Sequence, residues 1–267
     1  MLGCGTRPER ELAAASVNHP RSSVNVKIEL ESSPSGDQTE EALVVTHADG
    51  TVERFRLHDY PRIYAVPGLY EEVVQRRLQC ASPSKLAELL VGCAADAGVA
   101  PDDLGVFDLG AGNGVMGEAL RARGVRTLVA SDNIAAARDA ALRDRPGLYS
   151  EYLVGDTDDL PQVGDLVREH ALNGLVAAGT LGLGHISADS FHRLWSAFLD
   201  DAWFAVSVHE RLVQPGASDF GDYLAELERR DDLGEIVVRE RFRHRQTMAG
   251  DPIYYVAIVV RKGPQRQ

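Results

Sequence analysis

Three glycines spaced two apart, Gly110, Gly112 and Gly114, follow the apolar run Val106-Phe107-Asp108-Leu109 and run into Val115-Met116-Gly117. Glycine lacks a Cβ, so such a turn can reverse sharply and let a bulky ligand approach the end of a strand, where the next helix offers unpaired N–H groups. Residue types in this order cradle a nucleotide cofactor. Two cofactor chemistries fit the glycines alone. Gly112-Asn113-Gly114-Val115-Met116-Gly117 spells the dinucleotide fingerprint G-x-G-x-x-G, and Asp132 follows about 20 residues on, as that fingerprint expects.

Asp108 separates the two. A pyrophosphate avoids a nearby carboxylate, whereas a cofactor carrying an ammonium and a sulfonium tolerates it. The fingerprint is also displaced from the strand, because Gly110 and Ala111 intervene before its first glycine. The stretch 106–117 resembles motif I of the class I S-adenosylmethionine-dependent methyltransferases. That resemblance covers roughly residues 60 to 262 and implies an α/β fold: a three-layer sandwich with a mostly parallel seven-stranded sheet ending in an antiparallel β-hairpin. S-adenosyl-L-methionine is the cofactor it implies.

The surrounding pattern supplies the elements such a site needs. Val24 to Leu30, Leu43 to Thr46 and Val52 to Leu57 alternate apolar and polar residues, and Asp49-Gly50 marks a hairpin, so a small antiparallel β element comes first. Ser82 and Pro83 read as cap and first turn of a helix carrying Leu86, Leu89, Leu90, Cys93 and Ala97 on one face and closed by Gly98. Strands are then expected at Gly105 to Leu109, Val125 to Ser131, Tyr152 to Val154, Gly174 to Ala178 and Ala202 to His209. Helices from Val115 and Ile134, and one bearing Phe191, Leu194, Trp195, Phe198 and Leu199, intervene and imply a parallel sheet covered on both faces. After a helix at Phe220 to Leu227, strands at Ile236 to Phe242 and Ile253 to Val260 are too close in sequence for a crossover helix and must be antiparallel. The expected division is an extension over 1–59, with a polar tail to residue 22, and a main domain over 60–267.

Ligands of such sheets bind beyond the carboxyl ends of the strands. In the family resembled, Asp108, Gly110, Ala111, Gly112, Asn113 and Gly114 form the cofactor loop, and Asp132 with Asn133 after the second strand meets the ribose hydroxyls. Asp156 and Thr157 lie beside the adenine, and Ala178 and Gly179 face cofactor and acceptor. The plainer alternatives are Asp132 as a helix cap, Asp156 as one acid of a solvated loop, and Asn113 as a turn residue. His185, in the glycine-rich loop after the fourth strand, is the leading candidate base, with His209 and Tyr64 as rivals; beside His185, Ser187 reads as a helix cap. The aromatic stretch Tyr60 to Tyr70 is the expected lid. No Asn/Asp-Pro-Pro-Tyr/Phe quartet follows the fourth strand, which disfavours amino-methylation of a nucleic-acid base, and no metal-ligand spacing stands out.

Composition narrows the partners. A formal net charge of -12 removes the basic footprint of nucleic-acid binding, and Arg239, Arg241, Arg243 and Arg245 read as the solvated face of a late strand. Cys4, Cys80 and Cys93 form no C-x-x-C pair, which points away from disulfides and zinc and toward a reducing compartment. No apolar run reaches the ~18 residues of a membrane span, and the first twenty residues lack a signal-peptide core. The expectation is a cytoplasmic methyltransferase for a small-molecule acceptor, with no nucleic-acid or membrane partner, no metal, and homodimerisation left open. An NAD(P)-dependent oxidoreductase and a non-catalytic cofactor-binding or regulatory protein are the alternatives.

Overall fold

The computed structural model describes residues 26–33, 38–160, 163–182, 186–230 and 233–263. The expected polar tail, Cys4 and His185 lie outside the described residues, as does the start of the first expected strand.

Two sheets form. Strands β1 (Val26–Glu31), β2 (Ala42–His47) and β3 (Val52–Arg56) make an antiparallel meander whose β2–β3 turn contains Asp49 and Gly50. The remaining strands are β4 (Gly105–Leu109), β5 (Thr127–Asp132), β6 (Glu151–Val154), β7 (Gly174–Ala178), β8 (Trp203–His209), β9 (Glu235–Gln246) and β10 (Pro252–Arg261). They assemble in the order β6-β5-β4-β7-β8-β10-β9, with the first five mutually parallel and β10 antiparallel to both neighbours. The parallel strands are apolar runs because helices cover both faces: every residue of β4 is buried.

Those helices are α1 (Tyr60–Ala65), α2 (Ser82–Asp96), α3 (Val115–Arg121), α4 (Ala135–Asp144), α5 (Val163–Glu169), α6 (Ala188–Ser196) and α7 (Asp219–Leu227). One face of the sheet packs against α5, α6 and α7 through Phe191, Trp195, Phe220 and Leu224, and the other against α2 and α3 through Leu86, Leu90, Met116 and Leu120. Trp195 alone, 1% exposed, is worth about 3 to 5 kcal/mol against alanine. In α2 the buried stripe is Leu86, Leu90 and Ala94, while the expected core position Ala97 lies exposed beyond the helix end.

The segment before the first parallel strand is bent over the sheet. After α1, Glu71–Arg77 forms a π-helix, and its Val73 and Val74 share one apolar cluster with Ile28, Leu43, Phe55 and Ile63. This cluster joins the small sheet to α1 and the π-helix. Tyr60, Tyr64 and Tyr70 form a ladder of rings, with centroids 5.8 and 5.3 Å apart, that packs on α4 through Ala137 and Ala140.

Candidate functional site

The carboxyl ends of all five parallel strands open into one cavity of about 1390 Å³, floored by the β4–α3 loop and roofed by the tyrosine ladder. Pockets for a single small-molecule ligand run to about 300–1,000 Å³, and this cavity exceeds that range.

Gly110, Gly112 and Gly114 all have positive φ, at 70°, 56° and 92°, as a left-handed turn demands. Two of them also make room for the chain itself. A Cβ on Gly110 would lie 2.4 Å from Thr180 Cγ2, and one on Gly112 would lie 2.5 Å from the Tyr64 hydroxyl. The glycines therefore admit Thr180 and Tyr64 against the loop, and the ligand space begins beside those side chains. Gly114 caps α3 and does not line the cavity.

Asp108, expected at the cofactor, lies beneath the loop, 1% exposed and outside the residues that line the cavity, accepting a 2.6 Å hydrogen bond from the Tyr149 hydroxyl. Burial raises its carboxyl to a pKa of about 7 against the opposing pull of that hydrogen bond. Its role is to anchor the floor. Asn113 reaches the cavity, but its side-chain amide donates to Glu71 of the π-helix at 2.6 Å, and its carbonyl accepts from Arg145, which also binds Glu71 and Glu118. The loop, α4 and the π-helix are thereby tied together.

Asp132, at the end of β5, faces the cavity with both oxygens fixed by the loop: Oδ2 accepts the Gly112 N–H and Oδ1 the Ile134 N–H, each at 2.9 Å. It is thus both a turn-former at the start of α4 and a cavity carboxylate. Asn133, Asp156, Thr157, Ala178 and Gly179 all line the same space, with Asn133 Nδ2 donating to Asp156 Oδ1 at 3.4 Å. Tyr152, on β6, braces the loop by donating to the Gly112 carbonyl at 2.6 Å.

Of the candidate bases, Tyr64 is 6% exposed, and burial among Tyr60 and Tyr70 holds its hydroxyl well above the usual tyrosine range, so it stays protonated. His209 lines the cavity, accepts the Arg211 N–H through Nδ1 and is lowered by burial and by Arg211. Ser187 caps α6, accepting the Ser190 N–H at 3.1 Å.

A second constellation sits across the cavity from Asp132, and the sequence did not disclose it. His244 stacks on Tyr255 at 3.9 Å, and its Nδ1 is 2.7 Å from Ser82 Oγ and 4.0 Å from Cys80 Sγ. Ser207 Oγ donates to Ser82 Oγ at 3.1 Å. Burial, then the Arg245 charge, lower His244 to a pKa of about 3, so its ring is neutral. Ser82, expected to cap α2, begins the helix but spends its hydroxyl on His244; Ala81 occupies the cap position. His244 is the extra residue of a β-bulge, where Arg243 pairs with Tyr254 and Arg245 with Ile253. The bulge inverts the alternation of β9. Arg239, Arg241 and Arg243 remain exposed as expected, but Arg245 turns inward, 5% exposed, and binds Glu41 at 2.8 Å.

A parallel sheet with β4 at its centre, finished by an antiparallel strand inserted between β8 and β9, decides the architecture. The fold is that of the class I S-adenosylmethionine-dependent methyltransferases. No protein-family model and no curated protein matches the chain. Solved methyltransferases match its fold. A putative RNA methyltransferase from Pyrococcus horikoshii aligns with a TM-score of 0.51 at 16% identity, over 71% of this chain and 87% of its own. An S-adenosylmethionine-dependent methyltransferase from Clostridium acetobutylicum aligns with a TM-score of 0.50 at 10% identity, over 73% of this chain and 96% of its own. Among the described residues no cluster suited to a metal ion occurs, and no helix is long and apolar enough to cross a membrane.

Proposed function

We propose that the protein transfers a methyl group from S-adenosylmethionine to a small-molecule acceptor. The observation that carries this reading is Asp132, whose carboxylate takes the Gly112 amide that a dinucleotide cradle would turn toward phosphate, and faces the cavity from the end of β5. A carboxylate there accepts the hydroxyls of a ribose, and the antiparallel β10 inserted between β8 and β9 is the feature that a dinucleotide-binding sheet lacks. When bound, the cofactor supplies an electrophilic methyl group on a sulfonium; the protein's part is proximity, orientation and exclusion of water. Gly110, Ala111, Gly112 and Asn113 hold its amino-acid end, Asp132 its ribose, and Asn133, Asp156 and Thr157 its adenine, with Ala178 and Gly179 between cofactor and acceptor. The tyrosine ladder shields this space from bulk water.

A small acceptor suits the roof over the cavity and the net charge of -12, which opposes a nucleic-acid substrate. A thermal-shift comparison tests the reading. S-adenosylhomocysteine should raise the melting temperature and NADH should not, since only a ligand that binds the folded state stabilises it. Stabilisation by NADH alone would replace the transferase with an oxidoreductase. Binding of S-adenosylhomocysteine without methyl release from labelled cofactor into a metabolite extract would leave a cofactor-binding or regulatory protein.

A further inference from the structure

The hydrogen-bond chain at His244 has a direction, and the direction decides what the ring can offer a ligand. Ser207 Oγ donates to Ser82 Oγ, and both serines are buried, at 0% and 1% exposure. Ser82 therefore accepts one bond and needs an acceptor for its own proton. Among the described residues the acceptor within reach is His244 Nδ1, at 2.7 Å. A buried hydroxyl left without an acceptor costs about 1 to 3 kcal/mol, which favours this arrangement over the reverse. The Cys80 thiol, kept protonated by burial, lies 4.0 Å from the same nitrogen. The Ser82 proton aimed at Nδ1 makes it the lone-pair nitrogen, so in the neutral ring the proton resides on Nε2.

Nε2 has no partner among the described residues, and the ring lines the cavity beside Gly179, with Cε1 3.8 Å from the position of a Cβ there. Stacking on Tyr255 and the bulge in β9 hold the ring in that orientation. A neutral imidazole so fixed donates; it does not abstract a proton. Arg211, two residues from His209, also lines the cavity and adds a positive charge there. The acidic groups Asp132, Asp156, Asp158 and Asp159 line the other end of the cavity.

We propose that His244 is the acceptor-binding group of this site, presenting Nε2–H to an anionic oxygen, a carboxylate or a phenolate, of the small-molecule acceptor, with Ser82 and Ser207 as positioning residues that set its tautomer. This rests on the methyltransferase reading. It places acceptor recognition on the β9 bulge rather than on a base in the loop after β7.

Nitrogen-15 NMR of histidine-labelled protein saturated with S-adenosylhomocysteine tests it. The His244 signals should show Nε2 protonated and Nδ1 bare near neutral pH, and Ser82→Ala should convert them to a tautomer mixture, an effect that loss of packing alone would not give. Titration with benzoate or 4-nitrophenolate should shift the Nε2–H resonance, and benzylamine should leave it in place; whichever anion acts tells carboxylate from phenolate. His244→Phe, which keeps the stack on Tyr255, should weaken that anion at least tenfold without changing S-adenosylhomocysteine affinity. A proton on Nδ1, an unmoved tautomer in Ser82→Ala, or indifference of the resonance to both anions would overturn the proposal. Failure of S-adenosylhomocysteine to bind would instead remove the reading beneath it.

Discussion

Asp108 shows how one residue can be legible in type and not in place. Its position ahead of the glycines marks the loop, but whether the side chain points into the ligand space or under it depends on Tyr149, which arrives from 41 residues away to bind it. The buried carboxyl, with its pKa near 7, has a consequence for stability. Between about pH 4 and 7 the folded chain retains a proton that the unfolded chain has released, so stability falls as pH rises through that window and levels off above it. The slope contributed is at most about 1.4 kcal/mol per pH unit. Asp108→Asn keeps an acceptor for Tyr149 and removes the titration. Chemical denaturation at a series of pH values should find the variant gaining on the wild type from pH 4 to 7; a constant difference would mean Asp108 is ionised throughout. At Gly112, where φ is positive and Tyr64 is in contact, the requirement for glycine was legible, though not the neighbour that enforces it.

At the scale of elements, the parallel strands and their helices were readable because each is a long apolar run or stripe whose period is local. The π-helix at Glu71–Arg77 and the bulge at His244 were not, since both depend on partners distant in sequence: the backbone between the π-helix and α2 pairs with β9 through Ala81 N–H to His244 O at 2.7 Å and Gln246 N–H to Leu78 O at 2.7 Å. The four alternating arginines of β9 illustrate the cost. Period-2 reasoning put all of them in solvent, and one inserted residue buried the last. Glu41, just before β2, holds that arginine, accepting also from the Met248 N–H at 2.5 Å, and so fastens the small sheet to the hairpin that carries His244. Glu41→Ala should cost about 3 to 5 kcal/mol in urea denaturation, because it leaves Arg245 charged and buried, whereas Glu41→Leu with Arg245→Met should recover most of the loss. A single-variant cost under about 1 kcal/mol would mean the pair is hydrated and the fastening weak.

Across the whole molecule, charge and topology point the same way. The sheet order brings five strand ends to one cavity into which Asp132, Asp156, Asp158 and Asp159 face, and the net charge of -12 works against a polyanionic acceptor. Fluorescence anisotropy with a labelled RNA hairpin in about 0.15 M salt should show no saturable binding; saturable binding that steepens as salt falls would speak for a nucleic-acid acceptor. The central claim is that the Gly110–Asn113 loop and Asp132 hold S-adenosylmethionine, and isothermal calorimetry with S-adenosylhomocysteine tests it most directly. The wild type should bind one equivalent, and Asp132→Ala, with its melting curve intact, should bind more weakly by about 1 to 3 kcal/mol for the lost charged acceptor. No heat of binding in the wild type, or equal affinity in a folded Asp132→Ala, would contradict the account.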